Sequence, residues 1–282
     1  MTVKSIALLL ASIIFSSLAL YWGYLNMLPS KPNSSRLLLA KIRGGDYAHA
    51  GDKDAFRVVL PKIVDYFKKQ LVDQTVLDVG CGFGGTADYL YTQGFYNIWG
   101  IDIDKGAIDY AASKYPFVNF SVCDAKEAAQ KFEKNFFSLL YLLNVFCALS
   151  DQEKIQALNS LAEVAKPGAL LVIFDYTSLK PEGPDELKDL AGKQMYPIIP
   201  SLLRAQINQT KWEIIEETDL TANFIKWYQR LLHKLDQQRY SFVNDFSAET
   251  IDNLNKTYTT ILAKLEAKVW GGVIIYARRK TT

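Results

Sequence analysis

The chain has 282 residues, 49% apolar and 22% charged, with a formal net charge of +2. That length suits one α/β domain with additions, or at most two domains. A near-neutral balance without a long basic run excludes a phosphate-backbone track, so nucleic acid is not expected as a partner.

Histidine occurs only at His49 and His233, and there is no Cys-x-x-Cys pair. No metal site is therefore expected. Cys81, Cys123 and Cys147 are odd in number and sit in apolar or glycine-rich surroundings. They read as buried, reduced thiols, which points to a cytoplasmic compartment.

Ser5 to Leu28 carries no charge. A run of that length can cross the roughly 30 Å hydrocarbon core as a helix of about 20 residues. Tyr21, Trp22 and Tyr24 suit an interfacial belt, and Lys31, Arg36, Lys41 and Arg43 follow. The expectation is a transmembrane anchor over residues 1–28, touching the membrane through residues 5–28. The positive-inside rule then puts the rest of the chain in the cytoplasm. A secretory signal is the rival reading, because Ser17-Leu18-Ala19 fits a small-residue cleavage site.

Residues 29–45 read as a linker, opened by Pro29 and Pro32. Within it, Arg36 to Ile42 could begin a helix that Gly44-Gly45 breaks. Asp54 to Leu71 has helical spacing, with Pro61 as a kink point. Val76 to Val79 is a short buried strand, Thr86 to Gln93 a helix, and Ile98 to Ile101 a second strand. Asp104 to Tyr115 is a helix ended by Pro116. Val118 to Val122 and Phe136 to Leu143 are strands, Asp151 to Ala165 a helix, and Ala169 to Phe174 a strand. This alternation implies parallel βαβ units.

The last third departs from that rhythm. Four prolines, at 181, 184, 197 and 200, suggest an insertion or lid. Trp212 to Leu220 reads as a strand, Ala222 to Arg239 and Ala248 to Lys268 as long helices, and Gly272 to Arg278 as a closing strand.

The most informative run is Val76-Leu77-Asp78-Val79-Gly80-Cys81-Gly82-Phe83-Gly84. A strand leads through an acid into closely spaced glycines and then a helix, which lets a nucleotide approach the backbone. Asp102 ends the second strand, 24 residues beyond Asp78. An acid about 20 residues past such a turn can take both ribose hydroxyls. Asp124 follows the third strand. Ligands of open α/β sheets bind outside the carboxyl ends of the strands, so these acids should line one crevice. Asp104 reads as a helix cap instead.

With Gly100-Ile101-Asp102 and Asp124-Ala125, this run resembles the class I S-adenosylmethionine-dependent methyltransferases, over residues 46–282. Dinucleotide enzymes usually show G-x-G-x-x-G, whereas here the glycines stand at 80, 82 and 84 behind an acid. The resemblance implies a doubly wound, mostly parallel seven-stranded sheet of Rossmann-like form, with the transmembrane helix before it and a helical lid over about 178–270. It implies S-adenosylmethionine as cofactor. Gly80, Gly82 and Gly84 would meet the methionine part, with Asp78 ahead of them. Asp102 would hold the ribose, Ile103 would flank the adenine, and Asp124 with Ala125 would meet its amine.

Tyr47-Ala48-His49-Ala50-Gly51, Asp175-Tyr176 and Trp270-Gly271 are similar, more loosely, to the small-amine N-methyltransferases. These include the phosphoethanolamine and sarcosine/dimethylglycine enzymes. The implied activity is N-methylation of a small amine. A lipid or other membrane-associated acceptor, or a silent S-adenosylmethionine-binding membrane protein, are the alternatives. His49, beside Tyr47, is the candidate general base, and it is equally read as a loop or packing residue. Tyr176, Tyr196, Trp227 and Tyr228 could cage an ammonium, although helical aromatics such as the last two more often pack in a core. Two departures stand out. Ala148 takes the place where phosphoethanolamine enzymes carry a catalytic His, and Gln194-Met195-Tyr196 lacks their phosphate-holding Arg. Both turn the expectation toward a sarcosine-like or other acceptor.

Overall fold

The computed structural model describes residues 32–180, 187–190, 192 and 194–281. They fall in one compact unit, Pro32–Thr282.

Helix α1 runs from Ser34 to Arg43. It takes in the helix expected from Arg36 to Ile42 within the stretch read as linker, and local chemistry explains its ends. The Asn33 side chain accepts from the Arg36 amide, Lys41 and Arg43 stand in the last turn, and Gly44 closes the helix in the left-handed conformation. Helix α2, Asp52–Tyr66, continues through Pro61 rather than breaking there. It ends before the expected Leu71, where Lys68 and Lys69 take positive φ.

The sheet then builds from β1 (Thr75–Val79), α3 (Gly85–Thr92), β2 (Asn97–Asp102), α4 (Lys105–Lys114) and β3 (Asn119–Val122). A 3-10 turn, Ala125–Glu127, and the short α5, Ala128–Lys131, lead to β4 (Phe137–Leu143). A second 3-10 turn, Phe146–Ala148, precedes α6 (Asp151–Val164), β5 (Ala165–Ser178), α7 (Pro200–Asn208) and β6 (Trp212–Asp219). Two long helices, α8 (Thr221–Phe242) and α9 (Ala248–Glu266), precede β7 (Trp270–Arg279).

The seven strands pair in the order β3-β2-β1-β4-β5-β7-β6. The first five are parallel, and β7 runs antiparallel between β5 and β6. Alternate residues of each strand sort to opposite faces. Leu139, Tyr141 and Leu143 join the core under α1, α2, α8 and α9. Leu140 and Leu142 join the core under α6 and α7. Burial on both faces is why β4 is apolar at nearly every position.

The expected fold class is corrected in one respect. It included a transmembrane helix, and no helix among the described residues is long and apolar enough to cross a membrane. Residues 5–28, where that helix was expected, lie outside the described residues. The architecture is therefore stated as the seven-stranded α/β sheet with its helical cap.

Candidate active site

The glycine loop follows β1 and folds over the end of β2. The Gly80 and Cys81 amides both donate to the Ile101 carbonyl, at 2.7 and 3.0 Å. Gly80 has φ +71° and Gly82 φ +52°, which an L side chain rarely adopts. A Cβ on Gly80 would stand 2.5 Å from Val145 Cγ2, and one on Gly82 3.0 Å from the Ala48 Cβ. Bare backbone is thus required here for both conformation and space.

Asp102 is fixed by the loop it faces. Its Oδ2 accepts from the Gly82 amide at 2.9 Å and its Oδ1 from the Asp104 amide at 2.9 Å. The side chain is buried yet lines a cavity of about 400 Å3. Each carboxylate oxygen keeps a further acceptor site, enough for a pair of hydroxyls. Gly80, Gly82, Ile103, Asp124 and Ala125 line the same cavity. Ile103 is 56% exposed and offers an apolar side chain at the cavity wall. Asp124 caps the first 3-10 turn through the Lys126 amide at 2.9 Å, and its other oxygen lies 3.4 Å from Lys126 Nζ.

Two cofactor-loop candidates sit behind the wall rather than on it. Gly84 starts α3, and its missing side chain makes room for Phe120. Asp78 is buried, outside the cavity lining, with Oδ2 lacking a hydrogen-bond partner. Burial pushes its carboxyl well above the usual range. The neighbouring Tyr141 hydroxyl pulls it back, and the Asp102 carboxylate adds to the rise.

The catalytic candidates separate. Tyr176, at the end of β5, lines the cavity, and its hydroxyl meets that of Tyr228 from α8. His49 and Tyr47 do not line it. His49 is 1% exposed and walled by the rings of Tyr47, Phe56 and Phe174. Its Nδ1 donates to the Ala50 carbonyl at 3.0 Å, and Nε2 has no hydrogen-bond partner. Burial holds its pKa down at about 3. A neutral, enclosed imidazole packs in the core instead of taking a proton from a ligand. Of the proposed aromatic cage, Tyr176 and Tyr228 reach the cavity, whereas Tyr196 and Trp227 do not.

Sequence reasoning missed three groups. Arg36, Leu39 and Arg43 bring one face of α1 to the cavity. Tyr258 of α9 lines it beside Tyr228, with ring centroids 5.3 Å apart. Asn144, just past β4, has φ +57°; its Oδ1 accepts from the Ala50 amide at 2.8 Å while Nδ2 has no partner. The helical spacing of Arg36, Leu39 and Arg43 was the available signal for the first group. Among the described residues, no cluster could hold a metal ion, and all three cysteines are free and buried.

This arrangement fits the cofactor that the resemblance implied. A glycine cradle with no room for side chains and a clamped acid with spare acceptor positions are groups that could hold it.

Comparisons agree with that geometry. The family model described as "Methyltransferase domain" matches residues 76–168. The phosphoethanolamine N-methyltransferase of Triticum aestivum is 26% identical over 206 residues, covering 70% of this chain and 40% of that protein. O-methyltransferase rstn1 of Aspergillus nomiae is 31% identical over 166 residues, covering 54% of this chain and 72% of that protein. The chain thus spans about two fifths of the length of the first of these relatives. Among solved structures, phosphoethanolamine N-methyltransferase 2 of Haemonchus contortus, in complex with phosphomonomethylethanolamine and S-adenosylhomocysteine, superposes with a TM-score of 0.73. It is 19% identical, with 88% of this chain and 58% of that one covered, a likeness of fold. On its glycine cradle, its sheet order and these relatives, the chain belongs to the class I S-adenosylmethionine-dependent methyltransferases.

Proposed function

We propose that the protein transfers the methyl group of S-adenosylmethionine to the nitrogen of a small amine. The observation that carries this reading is a single cavity lined both by the glycine loop with Asp102 and by buried aromatic residues of β5, α8 and α9. Phosphoethanolamine enzymes among the relatives support the amine as acceptor class.

When bound, the cofactor supplies an electrophilic methyl on a sulfonium. The chain's task is positioning, since displacement needs the nucleophile in line at roughly 3 to 3.5 Å. Gly80 and Gly82 would seat the methionine part, Asp102 the ribose, and Ile103 with Ala125 the adenine. Asp124 is placed to accept from an exocyclic amine. Burial pushes the Tyr176 hydroxyl and Cys147 thiol well up, so both keep their protons. They serve as hydrogen-bonding surface and not as bases.

The acceptor's own proton is then governed by the cavity. Enclosure disfavours an ammonium and lowers its pKa. The faces of Tyr176 and Tyr228 stabilise the cation that forms on methylation. The test is transfer of labelled methyl to ethanolamine, phosphoethanolamine, glycine, sarcosine, dimethylglycine and phosphatidylethanolamine. Label in at least one small amine is expected, and label in none of them would refute the reading.

A further inference from the structure

Lys154 stands on the buried face of α6, where Leu158 and Leu161 follow it one and two turns on. An apolar residue would satisfy that face, yet the position holds a lysine that is 1% exposed. Burial disfavours the ammonium, and so does its place near the positive end of the helix. Its Nζ donates to Asp151 Oδ1 and to the Tyr196 carbonyl, each at 3.1 Å. The Asp151 side chain is half exposed, so that pair contributes little by itself. The Tyr196 carbonyl is the partner that needs explaining.

Tyr196 belongs to a strap, residues 194–198, whose Gln194 and Met195 line the cavity. The strap is held through its backbone. The Tyr196 amide donates to the Cys147 carbonyl at 2.6 Å and the Ile198 amide to the Tyr176 carbonyl at 2.8 Å. The Ile198 carbonyl accepts from the Ser178 amide at 2.8 Å. Asp175 fixes the residues that the strap is held to. It is fully buried, and it takes the Tyr176 amide on Oδ1 at 2.7 Å and the Cys147 amide on Oδ2 at 3.1 Å. Burial raises its carboxyl; the Tyr176 and Cys147 groups, and after them the Lys154 ammonium, oppose that rise. One cation therefore bonds the strap and also offsets the carboxylate that orients Cys147 and Tyr176, which both line the cavity.

We propose that Lys154 is a positioning residue for methyl transfer. Its buried ammonium ties the strap to the end of β5, and so holds Met195, Cys147 and Tyr176 in the arrangement that seats the acceptor. The proposal rests on the reading of the cavity as a methyl-transfer site. Lys154 does not itself line the cavity, so it acts through these residues.

The test has an exchange arm and a kinetic arm, both on the full chain. Lys154→Met keeps an unbranched apolar stem and deletes the charge, whereas Lys154→Arg keeps the charge. Unchanged S-adenosylhomocysteine affinity certifies each variant as folded. With that ligand bound, hydrogen exchange is followed over residues 194–198 and over β1 as a control. In Lys154→Met the Tyr196 and Ile198 amides should exchange about 10- to 100-fold faster, with β1 unchanged. Lys154→Arg should restore part of the protection. In the kinetic arm, Lys154→Met should lower kcat/KM for the amine that wild type methylates by about 10- to 100-fold. KM for S-adenosylmethionine should stay near wild type, and Lys154→Arg should recover part of the rate. If the methionine variant does not fold, Lys154→Gln takes its place with the same expectations. Unchanged exchange at Tyr196 and Ile198 in a folded variant would overturn the proposal. So would an equal loss for amine and cofactor, which marks a structural role only. The exchange arm needs no acceptor. A strap released by Lys154→Met upholds the tie even where wild type methylates no amine, and that result would count against the methyl-transfer reading alone.

Discussion

Asp102 carries the residue-scale claim most directly, because its carboxylate is clamped by two amides while one side lines the cavity. Asp102→Ala should weaken S-adenosylmethionine binding about 10- to 100-fold, the worth of charged hydrogen bonds to the ribose. Equal affinity in a titration would remove Asp102 from that role. His49 makes a different prediction. Its folded pKa, held at about 3 by burial, lies below the unfolded value near 6.5. The unfolded chain therefore binds the extra proton, and stability present at pH 7 is lost as pH falls through 6.5 toward 3. Between pH 7 and 5 that loss is about 2 kcal/mol. His49→Gln should flatten this fall in urea denaturation at the two pH values. The buried Asp78 and Asp175, whose pKa values are raised, act in the opposite sense in both proteins and cancel from the comparison. If the variant loses as much as wild type, His49 is not the titrating group.

These residues also show where one-dimensional reading stops. Asp102, Asp124 and the cradle glycines were legible because a strand-turn-helix fixes them locally. His49 was not, since its enclosure is completed by Phe174, 125 residues away, beside the nearby rings of Tyr47 and Phe56. The glycine spacing is less discriminating than it first reads. Gly85 follows Gly84, so Gly80, Gly82 and Gly85 also satisfy the dinucleotide pattern. The acids at 78, 102 and 124 and the relatives separate the two families, not the glycines alone.

At the scale of elements, α1 is the instructive case. Its sequence is short, positively charged and flanked by Pro32 and Gly44-Gly45, so it lies in a stretch that reads as linker although Arg36 to Ile42 could begin a helix. It is helical because caps satisfy both ends and because Leu38 and Ile42 are buried in the core beneath it. Leu38→Ala should cost about 3 kcal/mol in urea unfolding, as for other fully buried leucines. A cost near zero would mean that α1 is not docked as described. The α6 N-terminus gives a smaller test. Ser150 and Glu153 form a reciprocal capping box, and Glu153 also pairs with Lys126 at 2.5 Å. Ser150→Ala should destabilise by about 1 kcal/mol. The lid was legible as a region through its prolines and long helices. Which of its side chains face the cavity was not, because Tyr228 and Tyr258 look like ordinary core positions until α8 and α9 pack together.

For the whole molecule, the alternation of strands and helices was enough to imply parallel βαβ units. The insertion of β7 between β5 and β6 was not, since that pairing is set by contacts distant in sequence. The sheet brings the carboxyl ends of β1, β2 and β3 to the same cavity that Tyr228 of α8 and Tyr258 of α9 line. A ligand that needs both sheet and cap should stabilise the whole unit. At 100 times its Kd, S-adenosylmethionine should add about 2.7 kcal/mol and raise Tm by roughly 5 to 10 °C. The most direct measurement is calorimetric titration of the full chain with S-adenosylmethionine, beside NAD and beside Asp102→Ala. One saturable site per chain is predicted for S-adenosylmethionine, strongly weakened in Asp102→Ala, with no binding of NAD. Wild-type protein that binds no S-adenosylmethionine, or that binds NAD in its place, would contradict the account.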